Sequence, residues 1–329
     1  MSMVSFKKIQ DSVSSDIERL NNIISSTLKS QSPLMQQVVD NFLASKGKQL
    51  RPILVILSGR MFCEGDAVGD SVIYAGAAIE LLHNASLIHD DVIDESQQRR
   101  GRPSINRIWD NHIAVLVGDF FVSGALYCAE KTQQFNIISV MAHLGRELSL
   151  GEIEQIDNAR NHSIDEETYL GIIRRKTASL FSSCVQVGGY AAGVDDSRLD
   201  NLKRYVELLG VCFQIKDDIF DYFDNPGVGK PTGNDLREGK MTLPLIYALS
   251  RTDLPEHDRM LALSRKPVLE TDDIAALINF AKEAGGIDYA YRTMERIRNK
   301  AQGLLACYGD CEAVEQFKAI FDYIIERSK

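Results

Sequence analysis

One acidic pattern occurs twice in this chain, as Asp90-Asp91-Val92-Ile93-Asp94 and as Asp217-Asp218-Ile219-Phe220-Asp221. Each copy ends a largely apolar stretch that reads as a helix. At 3.6 residues per turn the first and last Asp of a set stack one turn apart, and the middle one lies about 100° round, so all three can converge on one target. Three carboxylates at the end of a buried helix repel one another and are costly to desolvate unless a cation neutralises them. Oxygen-only ligands of this kind suit Mg²⁺, which takes one or two protein carboxylates and completes its shell with water and phosphate oxygens. Two such clusters predict a cavity in which a phosphorylated substrate is clamped by metal from both sides.

The rest of the chain supports a helical protein. Apolar residues recur at helical spacing, alternating strand patterns are nearly absent, and coarse helices fall at 5–30, 34–46, 52–64, 69–94, 111–132, 137–158, 165–193, 196–224, 241–250, 271–284, 286–308 and 311–328. Pro33 after Ser32, and Pro52 after Arg51, read as helix starts. The segment from Val72 to Ile88 is apolar on nearly every side, as are parts of 176–193 and 205–220, which predicts helices buried on all faces. The two longest loop signals, Glu95 to Ser104 and Asn225 to Lys240, directly follow the acidic sets. No flexible linker, low-complexity tract or short repeat interrupts the pattern, so residues 1–329 read as a single all-α domain, a large bundle of about ten to thirteen helices around a central apolar cavity.

Composition narrows the partners. The chain has 329 residues, 44% hydrophobic and 25% charged, with a formal net charge of −9, which argues against general nucleic-acid binding. Any polyanion must rely on local cations. The six cysteines (63, 128, 184, 212, 307 and 311) are scattered, and Cys307 and Cys311 have no companion Cys or His pair for zinc, so reduced thiols in a cytoplasmic protein are expected. The amino terminus lacks the apolar core of a signal peptide, and no uninterrupted apolar run reaches membrane-spanning length.

Cations gather in sequence around the acidic sets. His83 lies two turns before Asp90 on the same face, while His89 is adjacent in sequence but turned away and reads as structural. Arg99 and Arg100 follow the first set, where guanidinium groups would neutralise carboxylates or fork onto phosphate oxygens. Gly47-Lys48-Gln49-Leu50-Arg51-Pro52 brings two more cations to a helix start, which itself favours anions. Gln214 shares a face with Asp217, Lys216 adjoins the set, and Lys230, Asp235 and Lys240 follow in the loop. Arg174-Arg175-Lys176-Thr177 places basic residues inside a helix.

In this order the residues resemble the trans-type isoprenyl diphosphate synthases (the polyprenyl synthetase family), and the long-chain type in particular. The resemblance runs from Gly47-Lys48-x-Leu50-Arg51-Pro52 through His83, the first Asp set, Arg99-Arg100-Gly101, Gly118-Asp119, Gly151-Glu152 and Lys176-Thr177. It continues with Phe213-Gln214, the second Asp set, Gly229-Lys230-Pro231 and Asp235-Leu236-Arg237-Glu238-Gly239-Lys240. Gln49 and Ser104 depart from the commoner basic residue and Thr.

The resemblance implies the isoprenoid synthase fold and Mg²⁺-dependent, head-to-tail condensation of isopentenyl diphosphate onto an allylic diphosphate such as farnesyl or geranyl diphosphate. It implies catalytic roles for Asp90, Asp94, Asp217 and Lys176. Up to three Mg²⁺ ions bound with diphosphate would be held by Asp90, Asp94 and Asp217, supported by Asp91, Asp218 and Asp221. Arg99, Lys176, Thr177, Gln214, Lys230 and Lys240 match allylic diphosphate contacts, and Lys48, Arg51, His83 and Arg100 match the isopentenyl diphosphate site. A homodimer is also implied, with helix 111–132 as a candidate interface.

Product length turns on the helix below Asp90. Four and five residues back, at about 1.5 Å per residue, stand Ser86 and Ala85, where family members making short products commonly carry a bulky aromatic. Small residues there predict an open tunnel and products of roughly C30 to C50, with Ile138, Met141 and Leu144 as candidate floor residues. The alternatives are a farnesyl or geranylgeranyl diphosphate synthase, a terpene cyclase, and a non-catalytic subunit of a heteromeric synthase. A cyclase would not need Lys48, Arg51 and His83, and regulatory subunits typically lose part of an Asp set, whereas both are whole here.

Overall fold

The computed structural model of the chain describes residues 5–45, 47–63, 67–161, 165–223 and 232–327. In order along the chain these form α1 (Phe6–Ser12), α2 (Ser14–Thr27), α3 (Pro33–Leu43), α4 (Leu50–Phe62) and α5 (Asp70–Ile93). A two-stranded hairpin, β1 (Gln98–Arg99) and β2 (Arg102–Pro103), leads to α6 (Ile105–Ile108), α7 (Asn111–Lys131), α8 (Phe135–Asn161) and α9 (Glu166–Ile173). A π-helical turn, Arg174–Ala178, joins α9 to α10 (Ser179–Ala191), followed by α11 (Asp196–Phe220), α12 (Asn234–Arg237), α13 (Leu243–Ser250) and α14 (His257–Ser264). The chain ends with α15 (Thr271–Glu283), α16 (Gly286–Ala301), a 3₁₀ turn at Ala306–Tyr308 and α17 (Glu312–Glu326). The all-α expectation holds, with the short antiparallel hairpin as the single sheet among the described residues.

More helices appear than the periodicity implied, because three expected helices are interrupted. The 5–30 stretch breaks at Val13, where the hydroxyls of Ser12 and Ser14 take the carbonyls of Ile9 and Asp11 at 2.8 Å each. Serine hydroxyls compete in this way with the backbone's own ladder. The 165–193 stretch is divided by the π turn, and 286–308 ends at Ala301 before the 3₁₀ turn. The short helices α6, α12 and α14 lie where the sequence read as loop. Pro33 stands at the first position of α3 with Ser32 capping the Met35 amide, as expected, whereas Pro52 comes third in α4, which opens at Leu50.

The elements group into two compact units, each drawn from three stretches of chain: Met1–Arg146, Leu180–Val206 and Leu304–Tyr323 in one, and Glu147–Ser179, Glu207–Gly303 and Ile324–Lys329 in the other. In the first, α5 packs against α2, α4 and α7. Its buried positions cover every side, with Val72, Ile73, Ala77, Ala78, Ile79, Leu81, Ala85 and Ile88 all in the core. α4 likewise buries Ile53 to Leu57 without a break. Close approach to α4 is set by Gly188 of α10, where an added Cβ would meet the Val55 carbonyl oxygen at 2.4 Å. Ser58 Oγ donates to Val185 O at 2.8 Å across the same contact. In the second unit α13 packs on α15 and α16, and Tyr247 stacks on Tyr289 with ring centroids 4.1 Å apart.

α5 and α7 are long and apolar enough to cross a membrane by length and composition, which the sequence reading did not anticipate. The apolar window of α5 is 72% buried within the protein and that of α7 44%. All six cysteines are free thiols.

Candidate active site

The first acidic set sits where α5 stops. Asp94 caps the helix, Glu95 takes the left-handed conformation (φ 49°), and the amide of Ser96 returns to Asp91 O at 2.9 Å while that of Glu95 reaches Val92 O at 3.4 Å. These two bonds form a Schellman ending, normally made with glycine; a side chain in that conformation costs about 1 kcal/mol or more. The chain then turns through the hairpin, with Gln98 opposite Pro103 and Arg99 opposite Arg102. Arg100 (φ 51°) and Gly101 (φ 73°) form its two-residue loop, in the pair of positive φ angles that a type I′ turn requires.

The hairpin sends Arg99 and Arg100 to different places. Arg99 forks onto Asp91, with Nε and Nη2 each 2.7 Å from a carboxylate oxygen. Arg100 donates from Nη1 to Ser45 O at 2.9 Å, and its guanidinium lies against Gly47, where a Cβ would fall 2.9 Å from Nη2. Asp91 is buried, whereas Asp90 and Asp94 are half-buried.

His83 is buried at 7% exposure, and burial, reinforced by Arg51, Arg100 and Arg99, holds its pKa well below the ordinary value. It is a neutral imidazole at physiological pH. Glu80, one turn before it, is buried too; burial raises its pKa, opposed by Arg51 and Arg100. Glu80 belongs to no motif, and its signal in the sequence is that of a lone acid in a helix apolar on all sides. Lys48 Nζ donates to Tyr323 OH at 2.8 Å, and the Arg51 guanidinium lies over the Phe181 ring, 5.7 Å from its centroid. His89 packs on α7: its Nε2 is 3.2 Å from Val115 O and 3.5 Å from an Asp119 oxygen, in the space a Cβ on Gly118 would occupy. Ala85 is 1% exposed and Ser86 half-buried, its hydroxyl donating to His83 O at 2.9 Å. Of the candidate floor residues, Met141 and Leu144 are buried and Ile138 is half-buried.

The second set ends α11. Asp218 is buried and accepts from Tyr169 OH at 2.6 Å and from Gln214 Nε2 at 2.7 Å; Gln214 Oε1 in turn accepts from Thr177 Oγ1 at 2.7 Å. Burial is the main cause that pushes the Asp218 pKa up to about 7, against these hydrogen bonds. Asp221 accepts the backbone amides of Asn234 and Asp235 at 3.0 Å each, anchoring α12. Asp217 pairs with Arg327 Nη2 at 2.6 Å, and Arg327 also donates to Phe213 O at 3.1 Å. Nothing in the sequence tied this arginine, beyond the last helix, to a carboxylate 110 residues away.

Lys176 stands in the π turn. It is ion-paired with Glu152 and lies 3.5 Å from Gln155 Oε1. Gly151 admits the turn closely, since a Cβ there would be 3.1 Å from the Lys176 amide nitrogen. Single π turns inside helices recur at functional sites. Lys240 pairs with Glu238 at 2.5 Å. Lys230, with its neighbours Gly229 and Pro231, lies outside the described residues.

Asp91, Asp218 and Asp221 are thus engaged by protein donors. Among the described residues no group of three or more His, Cys, Asp or Glu side chains gathers around a metal position. Asp217 is engaged as well, by Arg327, and Asp90, Asp94 and Asp217 offer carboxylate oxygen alone, the donor type that magnesium accepts at one or two carboxylates per ion. The residues fit that ion.

The Polyprenyl synthetase family pattern matches residues 32–280. The chain belongs to the polyprenyl synthetase family. It is a prenyltransferase, an enzyme that transfers alkyl groups. Polyprenyl synthetases similar to it include heptaprenyl diphosphate synthase component 2 of Bacillus subtilis (strain 168), 33% identical over 98% of this chain and 91% of that one. Among solved structures, the Caulobacter crescentus polyprenyl synthase, complexed with calcium and isoprenyl diphosphate, matches with a TM-score of 0.89 at 28% identity, covering 99% of both chains. The geranylgeranyl pyrophosphate synthase of Bacteroides thetaiotaomicron matches with a TM-score of 0.82 at 35% identity, covering 97% of this chain and 98% of that one.

Proposed function

We propose that this polyprenyl synthetase is a long-chain trans-polyprenyl diphosphate synthase, extending farnesyl or geranyl diphosphate with isopentenyl diphosphate to roughly C30 to C50. The observation that supports the assignment of roles is how the middle carboxylate of each acidic set is held. Asp91 is forked by Arg99, and Asp218 is held by Tyr169 and Gln214. The middle carboxylates, with Asp221, are read as supports, and Asp90, Asp94 and Asp217 as the ligands for magnesium. When bound with diphosphate, magnesium supplies positive charge to the leaving group.

The chain's own residues do the rest. Arg99, Lys176, Lys230 and Lys240 bind the allylic diphosphate, with Thr177 and Gln214 beside it. Lys48, Arg51 and Arg100 bind isopentenyl diphosphate, with His83 as a neutral partner. The C1–O bond of the allylic substrate breaks and diphosphate leaves with the electron pair. The isopentenyl double bond then attacks C1, and a proton is lost from the resulting cation. Apolar packing on α5 keeps water from capturing that cation. Small side chains at Ala85 and Ser86 support growth of the product past this depth.

The enzyme is further read as one domain working in the cytoplasm as a homodimer. Support for a second copy comes from α7, which leaves Val115, Leu116, Leu126 and Tyr127 exposed. Two observations favour other readings. The geranylgeranyl pyrophosphate synthase likeness favours a shorter product, and the Bacillus relative's designation as component 2 favours a chain that needs a second subunit.

Incubation with farnesyl and isopentenyl diphosphates and Mg²⁺, followed by mass analysis, tests all three. Products of roughly C30 to C50 are expected. Arrest at C20 would sink the long-chain reading, and no elongation of the C15 primer by the chain alone would favour the two-component one.

A further inference from the structure

Asn106 lies in α6, outside every motif that carries the family resemblance. Its Nδ2 donates to the carbonyl of Asp91 at 3.1 Å and to that of Ser96 at 3.2 Å. Both carbonyls are already bonded once. Asp91 O takes the Ser96 amide of the Schellman ending at 2.9 Å, and Ser96 O takes the Ser104 hydroxyl at 2.6 Å. Asn106 therefore fills the second lone pair of each.

The other end of the same side chain is unsatisfied, for Asn106 Oδ1 is buried with no hydrogen-bond partner. Turning the amide over would set that oxygen against two carbonyl oxygens, so its orientation is fixed by the network. An orphaned buried acceptor is unfavourable and calls for an explanation. Here the explanation is the paired donor: among side chains of this size, an amide is the one that offers two hydrogens to two carbonyls from a single nitrogen.

The hairpin needs such a tie. It has two residues per strand, and a hairpin of that size has little stability of its own. The fork from Arg99 to Asp91 fastens it at one point, but Arg99 is also a candidate diphosphate ligand, so the fastening weakens when that arginine turns to an anion. The Asn106 bonds go to backbone carbonyls that no anion competes for.

We propose that Asn106 is a positioning residue, clasping the end of α5 to the base of the hairpin so that Asp91, Arg99 and Arg100 keep one arrangement as a diphosphate binds. The proposal rests on the diphosphate-binding reading of Arg99 and Arg100. It predicts that losing the donor loosens the hairpin and weakens anion binding without unfolding the protein.

Asn106→Asp keeps the shape, removes the donor and adds a negative charge, whereas Asn106→Ser keeps one donor and adds no charge, so it separates loss of the clasp from charge repulsion. Three readouts apply: amide hydrogen exchange over residues 96–104, binding of inorganic diphosphate with Mg²⁺ by calorimetry, and separate KM and kcat values in the condensation assay. For Asn106→Asp, faster exchange over 96–104 is expected, with diphosphate binding weaker by between about tenfold and a hundredfold. KM for both substrates should rise more than kcat falls, and Asn106→Ser should lie between the two. Wild-type exchange, or fast exchange with undiminished diphosphate binding, would overturn the proposal. If Asn106→Asp does not fold, Asn106→Ser carries the same comparison. A wild-type protein that binds diphosphate and makes no prenyl product would remove the functional reading instead, leaving the clasp to be judged on exchange and binding.

Discussion

The hydroxyl of Tyr169 donates to the buried carboxylate of Asp218 at 2.6 Å. Hydrogen bonds to an ionised group contribute about 1.5–3 kcal/mol, and this one is shielded from water. Tyr169→Phe should lower stability by about that amount at pH 8, where Asp218 is ionised. Asp218 titrates near 7 in the folded protein, above its unfolded value, so the folded state holds the proton longer and the carboxylate penalty fades as pH falls. The loss from Tyr169→Phe should therefore shrink at pH 5. Urea unfolding of the metal-free protein at both values measures it, and an equal loss at each would refute the account.

His83 gives a second pH signature. The unfolded chain protonates this residue near about 6.5, whereas the folded protein holds its pKa well below that. The unfolded state thus binds more protons in the interval between, and stability falls as pH drops from about 6.5 towards the folded value. His83→Gln should remove this contribution, which amounts to at most about 1.4 kcal/mol per pH unit. Unfolding curves at pH 7, 6 and 5 would show a shallower decline for the variant; parallel declines would mean that His83 does not carry the effect.

Ala85 is 1% exposed, one helical turn and a residue before Asp90. Ala85→Tyr should shorten the product while turnover continues. Mass analysis of the prenyl products decides it, and an unchanged length distribution would remove Ala85 from the tunnel wall.

Gly188 has no room for a methyl group, because the atom it would strike is the Val55 backbone oxygen, 2.4 Å away, and not a flexible side chain. Gly188→Ala should force α10 and α4 apart and destabilise the protein by about 1–3 kcal/mol. A Tm equal to wild type would show that the two helices separate without penalty.

Much of this was written in the sequence in terms of period and charge. The long helices α5, α7 and α11 announce themselves through sustained apolar spacing, and the two Asp sets through the difficulty of burying three carboxylates together. The breaks were not legible. Val13 interrupts the first helix through serine hydroxyls whose direction depends on rotamer, and the Gly151 that gives the π turn at Lys176 its room comes from another helix. Arg327 escaped for a related reason, since it gains its meaning from a partner distant in the chain. Asn106 is the plainest case, because its partners are backbone carbonyls, which every residue has and no motif can mark.

The hydrogen-bond chain from Thr177 to Asp218 has a polarity. Gln214 gives its amide nitrogen to a carboxylate, so its oxygen faces Thr177, and the Thr177 hydroxyl must spend its single hydrogen on that oxygen. What remains on the hydroxyl is lone pairs. Thr177 therefore has no proton to offer a diphosphate oxygen while this chain is intact. It presents an electron-rich surface, better matched to a centre short of electrons than to an anion.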